Sequence, residues 1–146
     1  SKVSASSSES TSHTIPETMR AIVYDGKSKD AAMSFRPDHK APVPGGSMVI
    51  IKVCAAALNP VDYKLPDIPL VGMYVNGNVV GCDVSGEVVY APEGCGFQVG
   101  DEVFGFAKSG SLAEYTATNP ELIARKPASL SHIEAAMLPV AGGTSL

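Results

Sequence analysis

Residues 47–63 organise the chain, and they read SMVIIKVCAAALNPVDY. The apolar run is continuous and contains several Val and Ile residues, which predicts a buried β-strand. It stops at Asn59 and Pro60, and because proline cannot donate to a strand ladder, the chain must turn there. The sequence therefore places Asn59 and Asp62 on a loop at the rim of a packed core, where a binding site is expected.

Size and composition indicate one soluble globular domain. The 146 residues are 45% hydrophobic and 18% charged, which permits a core and argues against general disorder. The net charge is -4 and the few Lys and Arg are scattered, so no basic stripe predicts binding to nucleic acid. No apolar run approaches the roughly 20 residues that a membrane-spanning helix needs.

The cysteines indicate the redox setting. Cys54, Cys82 and Cys95 are odd in number, far apart and never in a C-x-x-C pair. This spacing argues against a disulfide framework and against a structural zinc site, and it favours a reducing, intracellular environment.

Residues 1–18 differ in composition from the rest. They are rich in Ser and Thr, nearly free of apolar residues and interrupted by Pro16, so we predict a disordered tail. A Ser-rich leader also fits the remnant of a transit peptide of a plastid or mitochondrion. The choice between cytosol and organelle stays open.

Short strands separated by turn residues are predicted after the tail. Strand composition begins at Met19 and returns in residues 33–36, 83–90, 99–106, 112–118 and 121–127, and Gly86 marks a bulge or a close backbone approach. Residues 37–46 form a connection in which His39 is a solvated loop residue. Residues 64–81 are predicted to be an irregular loop, with the turn signal Asn76-Gly77 allowing a small hairpin. Short strands at this spacing predict a mainly β barrel or sandwich.

Helical signals appear only near residue 131. Ser131 and Glu134 form the capping box S-x-x-E, which predicts a helix that starts at Ser131 and is limited by Pro139. The closing GGTSL predicts a Gly-Gly turn and the cap of another helix, for which no room remains. We therefore expect further residues beyond Leu146.

Five segments, in this order, are similar to those of a known superfamily. They are AALNPVDYK (56–64), GCDVSGEVV (81–89), FQVGDEVFGF (97–106), GSLAEYTA (110–117) and AAMLPVAGGTSL (135–146). The chain resembles the amino-terminal, GroES-like half of the medium-chain dehydrogenase/reductase superfamily, in its zinc-lacking quinone oxidoreductase and alkenal/enone reductase branch. The resemblance implies a mainly β, partly open barrel with short helices over residues 19–138. Residues 139–146 would start the connection to a Rossmann domain that this sequence lacks.

The resemblance also implies a metal-free site. In the zinc-dependent alcohol dehydrogenases of the superfamily, a Cys stands at the place of Asn59, a His at that of Cys82 and another Cys close to Ala141. None of these ligands is kept here. Because a catalytic zinc needs three protein ligands, we expect no zinc.

The reaction implied by the resemblance is hydride transfer from NADPH or NADH to a small-molecule quinone or α,β-unsaturated carbonyl. Tyr63 and Lys64 are the expected catalytic donors to the developing oxyanion, and Asn59 and Asp62 are expected to contact the nicotinamide end of the cofactor. Other roles stay open: Asp62 as the cap of a helical turn at Pro60, Tyr63 as a core residue and Lys64 as a surface lysine. Cys82 is expected to be a small buried hydrophobe.

Two classes of function are compatible with these features. The chain is either the amino-terminal domain of such a reductase, or a non-catalytic structural or interaction subunit derived from one. The sequence contains no G-x-G-x-x-G turn, so by itself the chain is expected to have little or no hydride-transfer activity. A homo-oligomer or a larger assembly is compatible with both.

Overall fold

A computed structural model describes residues 14–26, 33–68 and 70–144. Within these ranges the chain is mainly β, as predicted, with short helices between and after the strands. The strands are β1 (Thr18–Tyr24), β2 (Met33–Lys40), β3 (Val49–Ala57), β4 (Asp83–Tyr90), β5 (Glu102–Phe106), β6 (Tyr115–Thr118) and β7 (Ile123–Arg125). The helices are α1 (Pro60–Lys64), α2 (Val71–Val75), α3 (His132–Ala136) and α4 (Pro139–Thr144), and Leu65–Asp67 and Pro120–Leu122 form 3-10 turns.

The strands form two open antiparallel sheets. β1 and β2 form an antiparallel hairpin, while the other sheet has the order β6-β3-β4-β5-β7. Single bridges from Ala21 to Ala113 and from Val23 to Val79 connect β1 to the segments around the larger sheet. This topology confirms the expected mainly β, partly open barrel.

The apolar run after Ser47 forms β3, an inner strand of the larger sheet. β3 pairs with β4 on one side and β6 on the other, and Val49 and Ile51 are fully buried together with Val84 and Val88 of β4. A central strand is covered on both faces, which explains the continuous apolar run.

Gly86 marks both a bulge and a close approach, which confirms its predicted role. Val53 pairs with Gly86 and Ala55 pairs with Ser85, so Cys54 is the extra residue of a bulge in β3. A Cβ atom at Gly86 would overlap the carbonyl oxygen of Lys52. The sheet can close tightly here only because this position has no side chain.

The sequence predicted that the strand over residues 33–36 ends before Pro37, and this boundary was wrong. β2 continues to Lys40, so His39 lies half-buried in a strand and not in a loop. The pairing register of β1 with β2 changes between Met19 and Ala21, which pair with His39 and Arg36. Pro37 lies in this irregular part of the hairpin, where its missing N–H is tolerated.

The expected irregular loop and hairpin over residues 64–81 are replaced by helical turns. α1 and α2 flank the 3-10 turn Leu65–Asp67, and Asn76-Gly77 ends α2 instead of joining two strands. Gly77 has φ 81° and donates its N–H to the Tyr24 carbonyl across 2.7 Å, and Asn76 Oδ1 accepts from the Gly26 N–H at 2.8 Å. The turn thereby attaches this segment to β1.

The capping box at Ser131 is confirmed, but the end of the chain differs from the prediction. Glu134 N–H donates to Ser131 Oγ across 3.2 Å, and Ser131 N–H donates to Glu134 Oε2 across 2.8 Å. Pro139 begins α4 at its first helical position, where its fixed φ is favourable, and the two glycines that follow lie inside that helix. The predicted Gly-Gly turn was therefore wrong.

The amino-terminal boundary lies slightly earlier than predicted. Residues 1–13 fall outside the described part of the chain. Thr18 already belongs to β1, and Ile15 packs against the clusters that contain Met19 and Ile50. In the described ranges, no helix has both the length and the apolar character needed to cross a bilayer.

Candidate functional site

Pairing of β3 with β4 brings together two polar residues that are far apart in the sequence, Asn59 and Asp83. Ala57, the last residue of β3, pairs with Asp83, the first residue of β4. Asn59 follows as the N-cap residue of α1 and is half-buried, whereas Asp83 is fully buried. Both side chains therefore lie at one edge of the larger sheet.

Asp83 links the start of α1 to the start of α4. Asn59 Nδ2 donates to Asp83 Oδ2 across 2.9 Å. The Val140 N–H donates to both carboxylate oxygens of Asp83, at 3.2 Å and 3.3 Å. In the capping box of α1 the same side chain accepts from the Asp62 N–H. Because an amide oxygen has two lone pairs, Oδ1 can still accept one further hydrogen bond from a ligand.

Asp62 lies beneath this rim and is only 1% exposed. Its Oδ2 accepts from the Asn59 N–H across 2.7 Å, and its Oδ1 accepts from the Cys82 thiol across 3.4 Å. Its backbone carbonyl accepts from the Tyr24 hydroxyl across 2.8 Å. The capping role that the sequence left open for Asp62 is therefore present, and the carboxylate is occupied by protein donors.

Burial governs the acid-base properties of these groups. It raises the pKa of Cys82 to about 12, with the nearby Asp62 carboxylate contributing in the same direction. Burial, followed by the same carboxylate, raises the pKa of Tyr24 to about 12. Burial also raises the pKa of Asp83, and the hydrogen bonds from Asn59 and Val140 partly offset this. The Cys82 thiol is consequently neutral near pH 7 and a poor nucleophile. It is half-buried and donates to Asp62, so it is not simply the small buried hydrophobe that was expected.

Tyr63 and Lys64, the predicted catalytic donors, lie on the outer side of α1. Tyr63 is 58% exposed, so it is not the core residue that was one alternative. The Lys64 Nζ atom lies 5.8 Å from the centroid of the Tyr63 ring. The structure therefore brings Asn59 and Asp62 together and leaves Tyr63 and Lys64 side by side on the surface.

A cleft of about 410 Å³ adjoins the polar group. Tyr24 and Cys82 belong to both, because each lines the cleft and hydrogen-bonds to Asp62. The other residues that line it are mostly apolar or small and include Leu65, Val75, Phe106, Lys108 and Gly110. The arrangement can bind a compact, mostly apolar molecule beside a hydrogen-bonding rim.

The sequence analysis assigned no role in the site to Tyr24 or Asp83. Tyr24 ends the apolar segment MRAIVY, where nothing in the pattern marks its hydroxyl as special. Asp83 is 24 residues from Asn59, and only the register of β3 with β4 reveals their contact. A cue was present in the segment GCDVSGEVV, since an acidic residue at the head of a buried strand needs partners.

A second polar group lies across the sheet and anchors α3. His132 Nδ1 is 2.7 Å from Ser85 Oγ, and His132 Nε2 is 3.1 Å from Glu102 Oε1. Ser85 is fully buried on β4, and its Oγ donates to the Val103 carbonyl at 3.1 Å. A serine in this position cannot meet a substrate, so we assign the group a structural role.

The placement of His, Cys, Asp and Glu side chains determines whether the site could bind a metal ion. In the part of the chain that the structure describes, no three His, Cys, Asp or Glu residues are placed to hold a metal ion. The expectation that the protein functions without zinc stays a prediction.

Comparison with known proteins agrees with this geometry. Residues 45–128 match the family model of the alcohol dehydrogenase GroES-like domain. The chain is 37% identical to a 2-methylene-furan-3-one reductase from Solanum lycopersicum, with 97% of this chain and 39% of that protein covered. It is 36% identical to a chloroplastic NADPH-dependent alkenal/one oxidoreductase from Arabidopsis thaliana, with 87% and 36% covered.

A solved structure gives the same result for the fold. The quinone oxidoreductase from Coxiella burnetii superimposes with a TM-score of 0.75 and 32% identity, covering 85% of this chain and 42% of that one. The chain thus spans about two fifths of the length of these relatives. The resemblance to the quinone and enone reductase branch is confirmed over that portion.

Proposed function

Because the chain belongs to the alcohol dehydrogenase GroES-like domain family of the medium-chain dehydrogenase/reductase superfamily, we propose that it is the substrate-side domain of a metal-free, NAD(P)H-dependent oxidoreductase. The proposed reaction is hydride transfer to a quinone or to an α,β-unsaturated carbonyl. The names of the relatives support this class of acceptor, since they are a furanone reductase, an alkenal/one oxidoreductase and a quinone oxidoreductase.

The observation that carries the proposal is the rim formed by Asn59 and Asp83 beside the cleft. The Asn59 amide is fixed by Asp83, which is itself held by the Val140 N–H. This prearranged acceptor is linked through Asp62 to Tyr24 and Cys82, which line a cleft of mixed polar and apolar character. A fixed amide acceptor can position the carboxamide N–H of a nicotinamide.

The residues present fit one end of a nicotinamide cofactor. Asn59 Oδ1 is suited to accept from a ribose hydroxyl or a carboxamide N–H, and Asp62 acts through Asn59 by holding its backbone N–H. The sequence contains no glycine-rich turn for a pyrophosphate, so the rest of the cofactor would be held by another domain. When bound, NADPH or NADH supplies the hydride.

Tyr63 and Lys64 are proposed to stabilise the anion that forms on the substrate oxygen. The hydroxyl and the ammonium are exposed on α1, and Leu65, the residue that follows them, lines the cleft. Each is a hydrogen-bond donor, and donors aimed at developing charge lower the barrier of such additions. Hydride addition to a conjugated acceptor needs less electrophilic assistance than reduction of an isolated ketone, which is compatible with a site lacking zinc.

A binding experiment tests the proposal that another domain binds most of the cofactor. We expect the 146-residue chain to show no micromolar affinity for NADPH when nicotinamide fluorescence is followed during a titration. The protein that carries this domain together with a glycine-rich βαβ unit should oxidise NADPH with a quinone or an enone. Tight binding by the 146 residues would contradict the proposed placement of the cofactor.

Asn59→Ala in that larger protein should reduce kcat/KM about tenfold or more, since it removes a fixed polar contact. Asn119→Ala is the matched control, because Asn119 is also half-buried but lines a separate groove with Cys95 and Glu121. Equal losses in both variants would remove the support for a special role of Asn59.

An exposed apolar surface favours the alternative of a structural or interaction subunit. On α2 and the turn before it, Leu70 is 71% exposed, Met73 79% and Tyr74 82%. Apolar groups this exposed usually meet a partner. Sequencing of the reading frame beyond Leu146 discriminates: a glycine-rich βαβ segment supports the reductase, and a stop codon supports the subunit.

We also propose an intracellular location. One relative is described as chloroplastic, which favours an organelle over the cytosol. A fluorescent fusion of the natural reading frame would distinguish the two.

A further inference from the structure

We propose that Lys108 makes the cleft selective for a quinone or enone that carries an anionic substituent. The inference rests on the proposed function, because it takes the cleft beside Cys82 as the site of the acceptor. It names a substrate class and a residue that determines it.

The lining of the cleft differs in charge from the rest of the chain. The sequence holds 15 acidic and 11 basic residues, yet the described residues that line the cleft include Lys108 and His39 and no Asp or Glu. The remaining wall is mixed, with apolar side chains such as Leu65 and Phe106, uncharged polar ones such as Asn78 and Ser109, and the backbone of glycines. Such a wall suits a hydrocarbon ring, and the basic group suits a negative charge at its edge.

Asp62 and Asp25, two acidic residues close to the cleft, each contact other protein groups. The Asp62 carboxylate lies behind Cys82, is almost fully buried and accepts from Asn59 and Cys82. In the neighbouring groove, which shares His39 with the cleft, Asp25 lies 3.7 Å from Arg36. Asp38 also lines that groove and is the neighbour of His39 in β2, so we base the preference on Lys108.

Lys108 is held at the cleft by a well-ordered turn. It follows β5 and Ala107, and its N–H donates to Thr118 Oγ1 across 3.4 Å. Thr118 Oγ1 in turn donates to the Phe106 carbonyl across 2.6 Å, and the Gly110 N–H closes the turn on the Ala107 carbonyl at 3.4 Å. The backbone of Lys108 is therefore fixed.

The side chain of Lys108 is exposed, and the described residues place no carboxylate within ion-pair distance of its ammonium. Lys126 and Arg125, by comparison, each contact an acidic side chain. An ammonium beside an apolar wall attracts an anion more strongly than one surrounded by water, because the local dielectric constant is lower. For one partly exposed charge we expect a preference of about threefold to tenfold.

The experiment compares two probes of nearly equal shape on the 146-residue chain. Anthraquinone-2-sulfonate carries a negative charge, and 2-(hydroxymethyl)anthraquinone is neutral; neither alkylates thiols. Binding is followed by NMR chemical-shift titration at low ionic strength. We expect the sulfonate to bind about threefold to tenfold more tightly, with the difference shrinking as salt is added.

Variants show whether Lys108 is responsible. Lys108→Ala should abolish the difference between the probes by weakening only the sulfonate, and Lys108→Arg should keep it. Lys52→Ala is the matched control, because Lys52 is exposed on β3 and does not line the cleft, and it should change neither affinity. Equal affinities in the parent chain, a preference that survives Lys108→Ala, or binding of neither probe would overturn the inference.

Failure of the proposed reductase function can be distinguished from failure of the proposed role of Lys108. If the larger protein does not oxidise NADPH with any quinone or enone, the reductase assignment fails even when the sulfonate preference is measured. If it reduces neutral and anionic acceptors equally, only the role of Lys108 fails.

Discussion

Cys82 is the residue whose chemistry depends most on its surroundings. Burial and the Asp62 carboxylate raise the pKa of its thiol to about 12 from an ordinary value of 9.0. A raised folded-state pKa favours the protonated form, so this group's contribution to the free energy of unfolding is complete below pH 9 and falls as the pH rises toward 12. The thiol therefore serves as a neutral donor and not as a nucleophile.

Alkylation rates test this state of Cys82. In a Cys54→Ser, Cys95→Ser background, Cys82 should react with iodoacetamide at pH 8 on the order of a thousandfold more slowly than in the urea-unfolded chain, because little thiolate is present. Asp62→Asn should raise the rate, since it removes the negative charge beside the sulfur. Equal rates in the folded and unfolded chains would contradict the assigned pKa.

Individual side chains also show how far the sequence could predict the site. Asn59 and Asp62 stand directly after an apolar strand, so their position at a rim was predictable. Tyr24 and Asp83 were not, because their roles arise from contacts across 38 and 24 residues of sequence. Local patterns contain no information on strand register of that range.

At the scale of elements, Gly86 decides whether β3 and β4 can pair. A Cβ atom there would overlap the Lys52 carbonyl oxygen and lie 2.8 Å from Ile51 Cγ2, in the centre of the sheet. Gly86→Ala should therefore reduce the free energy of unfolding by about 2–4 kcal/mol in urea denaturation, through overpacking and backbone displacement.

Gly142→Ala is the matched control for that experiment. Gly142 lies in α4 with no atom within 4 Å of its added Cβ, so the change should be neutral or stabilise by up to about 1 kcal/mol. If Gly86→Ala were as stable as the parent chain, the close approach of the two strands would be wrong.

Elements that follow local rules were predicted, and elements decided by tertiary contacts were not. The capping box at Ser131 and the strand over Asp83–Tyr90 depend on local sequence, and both were found. The segment VGMYV has strand composition but forms α2. A Cβ atom at its Gly72 would overlap the Pro66 carbonyl oxygen, and no local pattern marks that close approach. Similarly, β2 passes through Pro37 only because the hairpin has an irregularity there.

On the scale of the whole molecule, one carboxylate joins parts of the chain that are far apart. Asp83 contacts Asn59 of the α1 cap and Val140 of α4, which is 57 residues further along. The order of motifs led to the correct superfamily, and residues 45–128 match its GroES-like domain. The arrangement of the cleft could not be predicted in the same way, because its lining comes from several segments joined only by sheet pairing.

The donors of the site also determine how the molecule should respond to metals. Asp62 and Asp83 each use both carboxylate oxygens for protein hydrogen bonds, and the Cys82 thiol is protonated near neutral pH. Zinc would have to displace these donors and deprotonate the thiol, which costs free energy. We therefore expect EDTA to leave Tm unchanged within about 1 °C, and added zinc sulfate to give no increase.

A variant with restored ligands supplies the positive control for this metal experiment. Asn59→Cys combined with Cys82→His gives the ligand types that the resemblance assigns to the zinc enzymes, with Asp83 beside them as a third donor. Zinc should raise the Tm of this double variant and remain bound through gel filtration, as measured by elemental analysis. Stoichiometric zinc in the parent chain, or a fall in its Tm with EDTA, would show that the site holds a metal without those ligands.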